Sequence, residues 1–263
     1  MELNLKGKTA LITAASSGIG KATAEMLIQE GVNVAICSRN KLKLEMAVHE
    51  MKNLYNIEPY YDVCDINKPS EIESTVNNVI KKFDKIDILI NNCGGPVPGI
   101  FEELNDDNWE DALEQVLMSA IRFTRLVLPK MKSNKWGRII NITSLSVKQP
   151  VDNLILSNSL RSAVTAFAKT MSNHLGKFNI TVNNVAPGYT LTPRINELAE
   201  KKALLANTST DIMLALMADE VPMKRMAKSQ EVASIIAFLA SEQAGYITGQ
   251  TIAVDGGLIK ATY

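Results

Sequence analysis

The sequence predicts an α/β protein built on a doubly wound, seven-stranded parallel sheet with helices on both faces. Two observations carry this expectation. Short β-branched runs alternate with longer segments of helical period along the whole chain, the pattern of a sheet covered on both sides. A chain of 263 residues with 46% hydrophobic content can also bury the core that such a sheet needs. No linker, repeat or low-complexity stretch interrupts the series, so a single domain over residues 1–263 is expected.

The strands read at Thr9–Thr13, Asn33–Cys37, Pro59–Val63, Ile86–Ile90, Arg138–Ile142, Thr181–Ala186 and Thr251–Val254, each followed by turn residues or a helix start. The first helix begins near Gly18 and runs to Gly31, and others begin near Asp107 and Ser157. The last of these places Leu160, Ala163, Val164, Phe167 and Met171 on one stripe, which reads as core or subunit interface. The irregular stretch is Thr190 to Met226, where Pro193 and Pro222 bracket helical pieces carrying Leu204, Leu205, Met213, Leu214, Met217 and Met223. An adaptable apolar lid over a substrate is expected there, and simple packing of helix against sheet is the competing reading.

Composition removes several classes. The 28 basic and 28 acidic residues cancel, leaving no net field to attract nucleic acid or an anionic membrane. Cys37, Cys64 and Cys93 match neither a close-spaced zinc pattern nor an even-numbered disulfide framework, which fits a reducing, cytoplasmic setting. No apolar run approaches the roughly 20 residues that span a bilayer.

The turn Thr13-Ala14-Ala15-Ser16-Ser17-Gly18-Ile19-Gly20 leads the first strand into the first helix. Small residues in such a turn let a pyrophosphate approach backbone amides and the positive end of the helix dipole. Ordinary loop chemistry would also use them. Further along, Ser38-Arg39-Asn40 follows the second strand where an acidic residue would bind two ribose hydroxyls and repel a 2′-phosphate. Arg39 offers a permanently charged planar fork instead, suited to phosphate oxygens unless it is simply a solvated surface arginine.

At this point the residues resemble a family. The turn is similar to the TGxxxGxG turn of short-chain dehydrogenases/reductases, and Asn91-Asn92-Cys93-Gly94 resembles the NNAG after the family's fourth strand. Asp65 stands where an aspartate meets adenine, Pro187-Gly188 with Thr192 resembles the PGxxxT that holds the nicotinamide amide, and Thr248-Gly249 with Val254-Asp255-Gly256-Gly257 resembles the C-terminal strand. The matches occur in order over nearly the whole chain, and the overall likeness is to the β-ketoacyl-(acyl carrier protein) reductase-like branch.

The resemblance implies a Rossmann-type fold and a homodimer or homotetramer in which the helices beginning near Asp107 and Ser157 pair between subunits. It also implies NADP(H), preferred over NAD(H), held by Thr13, Ser16, Ser17, Gly18, Ile19, Gly20, Arg39, Asp65, Asn91, Gly94, Pro187, Gly188 and Thr192. Two departures occur at this end. Ala14 replaces the first glycine, which constrains the backbone if that position needs positive φ. Cys93 replaces the alanine of NNAG and reads better as a packed small residue than as a redox thiol.

The catalytic positions depart further. The family's serine is Ser144, but the tyrosine expected thirteen residues on is Ser157, and the lysine four beyond that is Arg161. The family's fourth catalytic position, an asparagine, falls on Val116 when counted from Trp109, and Pro129 keeps its spacing, so no insertion explains the mismatch. A tyrosine hydroxyl ionises near about 10 and can be tuned, whereas a serine hydroxyl is a far weaker acid and arginine does not deprotonate. Ser157 therefore cannot inherit the tyrosine's role, although Arg161 shares its helical face and is placed to bind the nicotinamide ribose.

Tyr189 and Lys148 are the alternative acids. Arg122 reads either as an anchor for an anionic substrate group or, better, as part of an ion pair. His49 and His174 receive no role. The reading that follows is hydride transfer between NADP(H) and a carbonyl or secondary alcohol, against two alternatives: a catalytically impaired dinucleotide-binding sensor or scaffold, and a non-redox lyase or isomerase.

Overall fold

The computed structural model describes residues 2–262, and its strands form one parallel sheet in the order β3-β2-β1-β4-β5-β6-β7. The strands are β1 (Thr9–Ile12), β2 (Asn33–Ser38), β3 (Tyr60–Val63), β4 (Ile88–Asn91), β5 (Gly137–Ile142), β6 (Ile180–Pro187) and β7 (Thr251–Val254). All seven expected strands are present, with no end moved by more than two residues. Pro59 stays outside β3, and β4 starts at Ile88 and extends to Asn91, which pairs with Asn141.

The helices are α1 (Gly18–Gln29), α2 (Lys41–Tyr55), α3 (Pro69–Phe83), α4 (Asp106–Ala112), α5 (Ser119–Asn134), α6 (Ile155–Leu175), α7 (Pro193–Leu205), α8 (Thr210–Glu220) and α9 (Ser229–Ala240). A π-helical segment, Leu113–Met118, joins α4 to α5. None of them is long and apolar enough to cross a membrane.

The central strands are apolar on both faces because helices cover both. Ile12, Ile36, Ile90 and Ile140 pack beneath α1 and α9, while Leu11, Ala35, Leu89 and Ile139 pack beneath α3, α5 and α6. Strand order reverses between β1 and β4, which opens a crevice at their carboxyl ends, the position at which doubly wound sheets bind ligands. The row at that end is polar. Asn91 Nδ2 donates to Asn141 Oδ1 at 2.9 Å, Asn141 Nδ2 to Asn184 Oδ1 at 2.9 Å and Asn184 Nδ2 to Thr251 Oγ1 at 3.0 Å, so one buried ladder crosses β4 to β7.

Of the two readings of the α6 stripe, core holds for its start: Leu160 and Val164 are buried within the chain, against Ala112, Val116 and Leu156. The π segment turns Val116 inward onto α6 and covers them. Phe167, Ala163 and Met171 are only half-buried, so the stripe is core at its start and open along its flank.

The irregular region resolves into α7 and α8. Met217 and Met226 are buried with Ile195 and Ala199, and Met213 and Leu214 pack partly against them, while Met223, Leu204 and Leu205 are exposed. The region thus holds a small core of its own, with only part of its methionine and leucine content inside.

Candidate active site

Three chain segments converge at the carboxyl ends of β1, β2 and β4. Thr13 Oγ1 donates to the Asn92 carbonyl at 2.6 Å and accepts from the Asn92 amide at 2.8 Å, while Asn92 Nδ2 donates to the Ala14 carbonyl at 3.1 Å. The Ala15 amide reaches the Cys37 carbonyl at 3.1 Å, and the hydroxyls of Ser16 and Ser38 lie 3.1 Å apart. The turn after β1 is therefore tied to the ends of both neighbouring strands.

This turn fits a pyrophosphate. Ser17 caps α1 in extended conformation with no side-chain bond to the first-turn amides, and no acidic residue lies in that turn, so its donors remain open to an anion. Gly20 faces Asn92 and Ala14 so closely that a Cβ would lie 2.8 Å from Asn92 Nδ2 and 2.9 Å from the Ala14 oxygen. A Cβ on Gly18 would come within 3.2 Å of Thr192 Cγ2, which places the start of α7 beside the turn. Ala14 has φ +46, so the constraint anticipated from its replacing a glycine is real.

The remaining cofactor candidates surround this turn. Arg39 is exposed beyond β2 and forms no ion pair among the described residues. Asp65 is half-buried after β3, with Oδ1 accepting from the Asn67 amide at 3.1 Å. Asn91 lies in the buried ladder, and Pro187 and Gly188 end β6, where the Gly188 amide bonds to the Val254 carbonyl at 2.9 Å. Ile19 packs partly against the core, and Gly94 is exposed.

The catalytic candidates lie just after β5 and on α6. Ser144 is half-buried and its Oγ accepts from the Ser146 amide at 3.1 Å. Ser157 and Arg161 are each 7% exposed, one turn apart on α6. Arg161 Nη1 donates to the carbonyls of Ile142 at 3.0 Å and Thr143 at 3.1 Å, and Nη2 to that of Gly94 at 3.3 Å. Three of its five N–H groups thus hold the ends of β4 and β5 together, leaving two for any other partner. A small cavity of about 10 Å³ beside Arg161 is lined by Asn91, Val116, Ser119, Asn141 and Thr143, and neither Ser144 nor Ser157 is among its lining residues.

Tyr189, one of the alternative acids, is engaged by a carboxylate. Its hydroxyl donates to Glu220 Oε2 at 3.0 Å, and burial, reinforced by the Glu220 charge, pushes its pKa up to about 12. It ties the β6 end to α8. Arg122 makes a two-pronged ion pair with Glu114, the structural reading of the two considered. Cys93 is half-buried against the α4–α6 cluster, as a packed small residue would be. Sequence reasoning missed Arg194, on the first turn of α7, whose Nη2 donates to the Pro96 carbonyl at 2.9 Å. It also missed the asparagine ladder, although polar residues ending otherwise apolar strands were a visible signal for it.

Comparison with known proteins agrees with this geometry. A family model described as enoyl-(acyl carrier protein) reductase matches residues 13–259. The 3-oxoacyl-(acyl-carrier-protein) reductase of Thermotoga maritima is 33% identical over 98% of this chain and 100% of its own length. A ketoacyl reductase of Streptomyces coelicolor, so named provisionally, is 33% identical over 95% of this chain and 97% of its own. Among solved structures, an actinorhodin polyketide ketoreductase with NADPH superposes with TM-score 0.93 at 33% identity, covering 97% of this chain and 98% of that one. The L-sorbose reductase of Gluconobacter frateurii, complexed with NADPH and L-sorbose, superposes with TM-score 0.94 at 32% identity, covering 99% and 100%. The crevice at the strand-order switch, the open α1 turn and these full-length likenesses together place the chain in the short-chain dehydrogenase/reductase family, in its ketoacyl-reductase-like branch.

Proposed function

We propose that this chain is an oxidoreductase that moves hydride between NADP(H) and a carbonyl or secondary alcohol, as a 3-oxoacyl-reductase-like enzyme with weak or narrowly specific turnover. The observation that carries the cofactor assignment is the uncapped first turn of α1 together with an exposed Arg39 that has no acidic partner among the described residues. The bound dinucleotide supplies or accepts the hydride. The chain's own residues then have separate tasks. The amides of the α1 turn and Arg39 hold phosphate charge, with Arg39 giving preference for NADP(H) over NAD(H). Ser144 would hydrogen-bond the substrate oxygen, and Arg161 fixes the β4 and β5 ends while its remaining N–H groups would be left to hold the nicotinamide ribose.

Weak turnover follows from the proton step. Ser157 is too weak an acid to replace the family's tyrosine, and loss of a general acid costs about 10²- to 10⁴-fold in rate. Changing Ser157→Tyr and Arg161→Lys together should raise NADPH-dependent reduction of a simple β-ketoester, followed by nicotinamide absorbance. Wild-type reduction at ordinary family rates that is unaffected by Ser144→Ala would overturn the assignment.

The commitment of Arg161 to backbone carbonyls favours, as second reading, a dinucleotide-binding sensor or scaffold. Tight NADPH binding with no turnover over a broad carbonyl and alcohol panel would select it. Assembly as a homodimer or homotetramer through the open flank of α6 belongs to the same proposal, and light scattering at micromolar concentration tests it.

A further inference from the structure

Two arginines from different elements grip the same short loop. Arg161, on α6, donates to the Gly94 carbonyl at 3.3 Å, and Arg194, on α7, donates to the Pro96 carbonyl at 2.9 Å. Gly95 lies between the two gripped carbonyls. Its Cα faces the Arg194 guanidinium so closely that a Cβ there would lie 2.8 Å from Nη2, 2.9 Å from Nε and 3.0 Å from Cζ. The planar group therefore rests on the backbone of Gly95, a contact that a side chain at this position would prevent.

Arg194 has little else to hold it. Its side chain is 34% exposed, and its one ion pair is a 3.4 Å contact to Glu197, itself 62% exposed, an interaction that water screens. The bond to the Pro96 carbonyl is charge-assisted and half-buried, so it is the stronger of the two. One residue before α7, Thr192 touches Gly18 of the phosphate turn, and two residues before the loop, Asn92 is bonded to Thr13 and Ala14. Segment 94–96 and the start of α7 thus flank the crevice from two sides, and Arg194 is the side chain that joins them.

We propose that Arg194 is a positioning residue that latches the α7–α8 lid onto segment 94–96, retaining bound dinucleotide and setting the width of the substrate entrance. The proposal rests on the dinucleotide-binding reading above. Its chemistry is a single charge-assisted hydrogen bond plus flat contact with a glycine, so the latch opens and closes without covalent change. Arg161 holds the floor of the same loop in either state, because its other two carbonyls lie at the β5 end.

The test is a double-mutant cycle between positions 194 and 95, read out as the rate of NADPH release by stopped-flow fluorescence. Arg194→Ala should speed release roughly tenfold, the factor expected for losing one charge-assisted bond of this kind. Gly95→Ala should do nearly the same, because its methyl group displaces a flexible guanidinium and leaves the backbone in place. The double variant should be no faster than either single one, since both remove the same contact. Arg194→Lys, which can still donate to the Pro96 carbonyl, should recover part of the loss.

Amide hydrogen exchange over residues 193–205 without nucleotide gives a second readout, and exchange should quicken in both single variants to the same extent. Additive effects, or release and exchange unchanged in Arg194→Ala, overturn the latch. Wild type that fails to bind NADPH overturns the proposed function instead, and the exchange measurement still decides on the latch.

Discussion

Ala14 offers the most direct test of how the phosphate turn is built. Its φ of +46 lies in the left-handed region, where a Cβ crowds the following carbonyl at a cost of roughly 1–2 kcal/mol. Glycine removes that strain but loses more entropy on folding, which offsets about 0.4–1 kcal/mol. The carbonyl of residue 14 would still accept from Asn92 Nδ2, so no hydrogen bond seen at this oxygen is lost. Ala14→Gly should therefore stabilise the protein by about 0.5–1 kcal/mol, equivalent to a rise of about 1–3 °C in Tm for a chain of this size. Differential scanning calorimetry at matched protein concentration measures it, and NADPH titration should show affinity unchanged or tighter, because the turn keeps its shape. A fall in Tm would refute the reasoning, since it would mean that the Cβ contributes packing worth more than the strain it causes.

Other expectations concern separate parts of the site. Arg39→Ala should abolish a preference for NADPH over NADH in paired titrations, and a preference that survives would assign the 2′-phosphate to another group. Arg161→Ala leaves three backbone carbonyls without their cation and should destabilise the fold by about 2–4 kcal/mol in urea denaturation while weakening NADPH binding, whereas Ser144→Ala should lower turnover alone. Equal effects from these two variants would contradict the separate roles. Tyr189 is held protonated beyond the range of an unfolded tyrosine, which ionises near about 10, by burial and then by Glu220, so its contribution to stability is complete below about 10 and is lost as pH rises toward about 12. Spectrophotometric titration should show a tyrosine ionising at about 12 that disappears in Tyr189→Phe.

Much of this architecture was legible in the residues themselves. The strands are buried on both faces by covering helices, so their continuous apolar runs stood out, and the turn from Thr13 to Gly20 could be read because close approach of an anion permits few side chains. The departures at Ala14, Ser157, Arg161 and Val116 were visible as residue types at fixed spacings. Strand ends were less exact: they depend on partners far along the chain, as where Asn91 finds Asn141 and prolongs β4.

What the sequence by itself determined is therefore the doubly wound fold, the small-residue turn from Thr13 to Gly20 and the residue types at Ser144, Ser157 and Arg161, since each depends on local periodicity or on the identity of single residues. Tertiary structure alone decided where the charged and polar groups spend their hydrogen bonds. It turned Arg161 toward the carbonyls of Ile142, Thr143 and Gly94, pointed the Tyr189 hydroxyl at Glu220, buried Leu160 and Val164 under the π segment and laid Arg194 on Gly95. The hydrogen bonds among these pairings join residues 18 to 67 positions apart, and a buried donor takes whichever acceptor the packed backbone presents, a choice that no local pattern records.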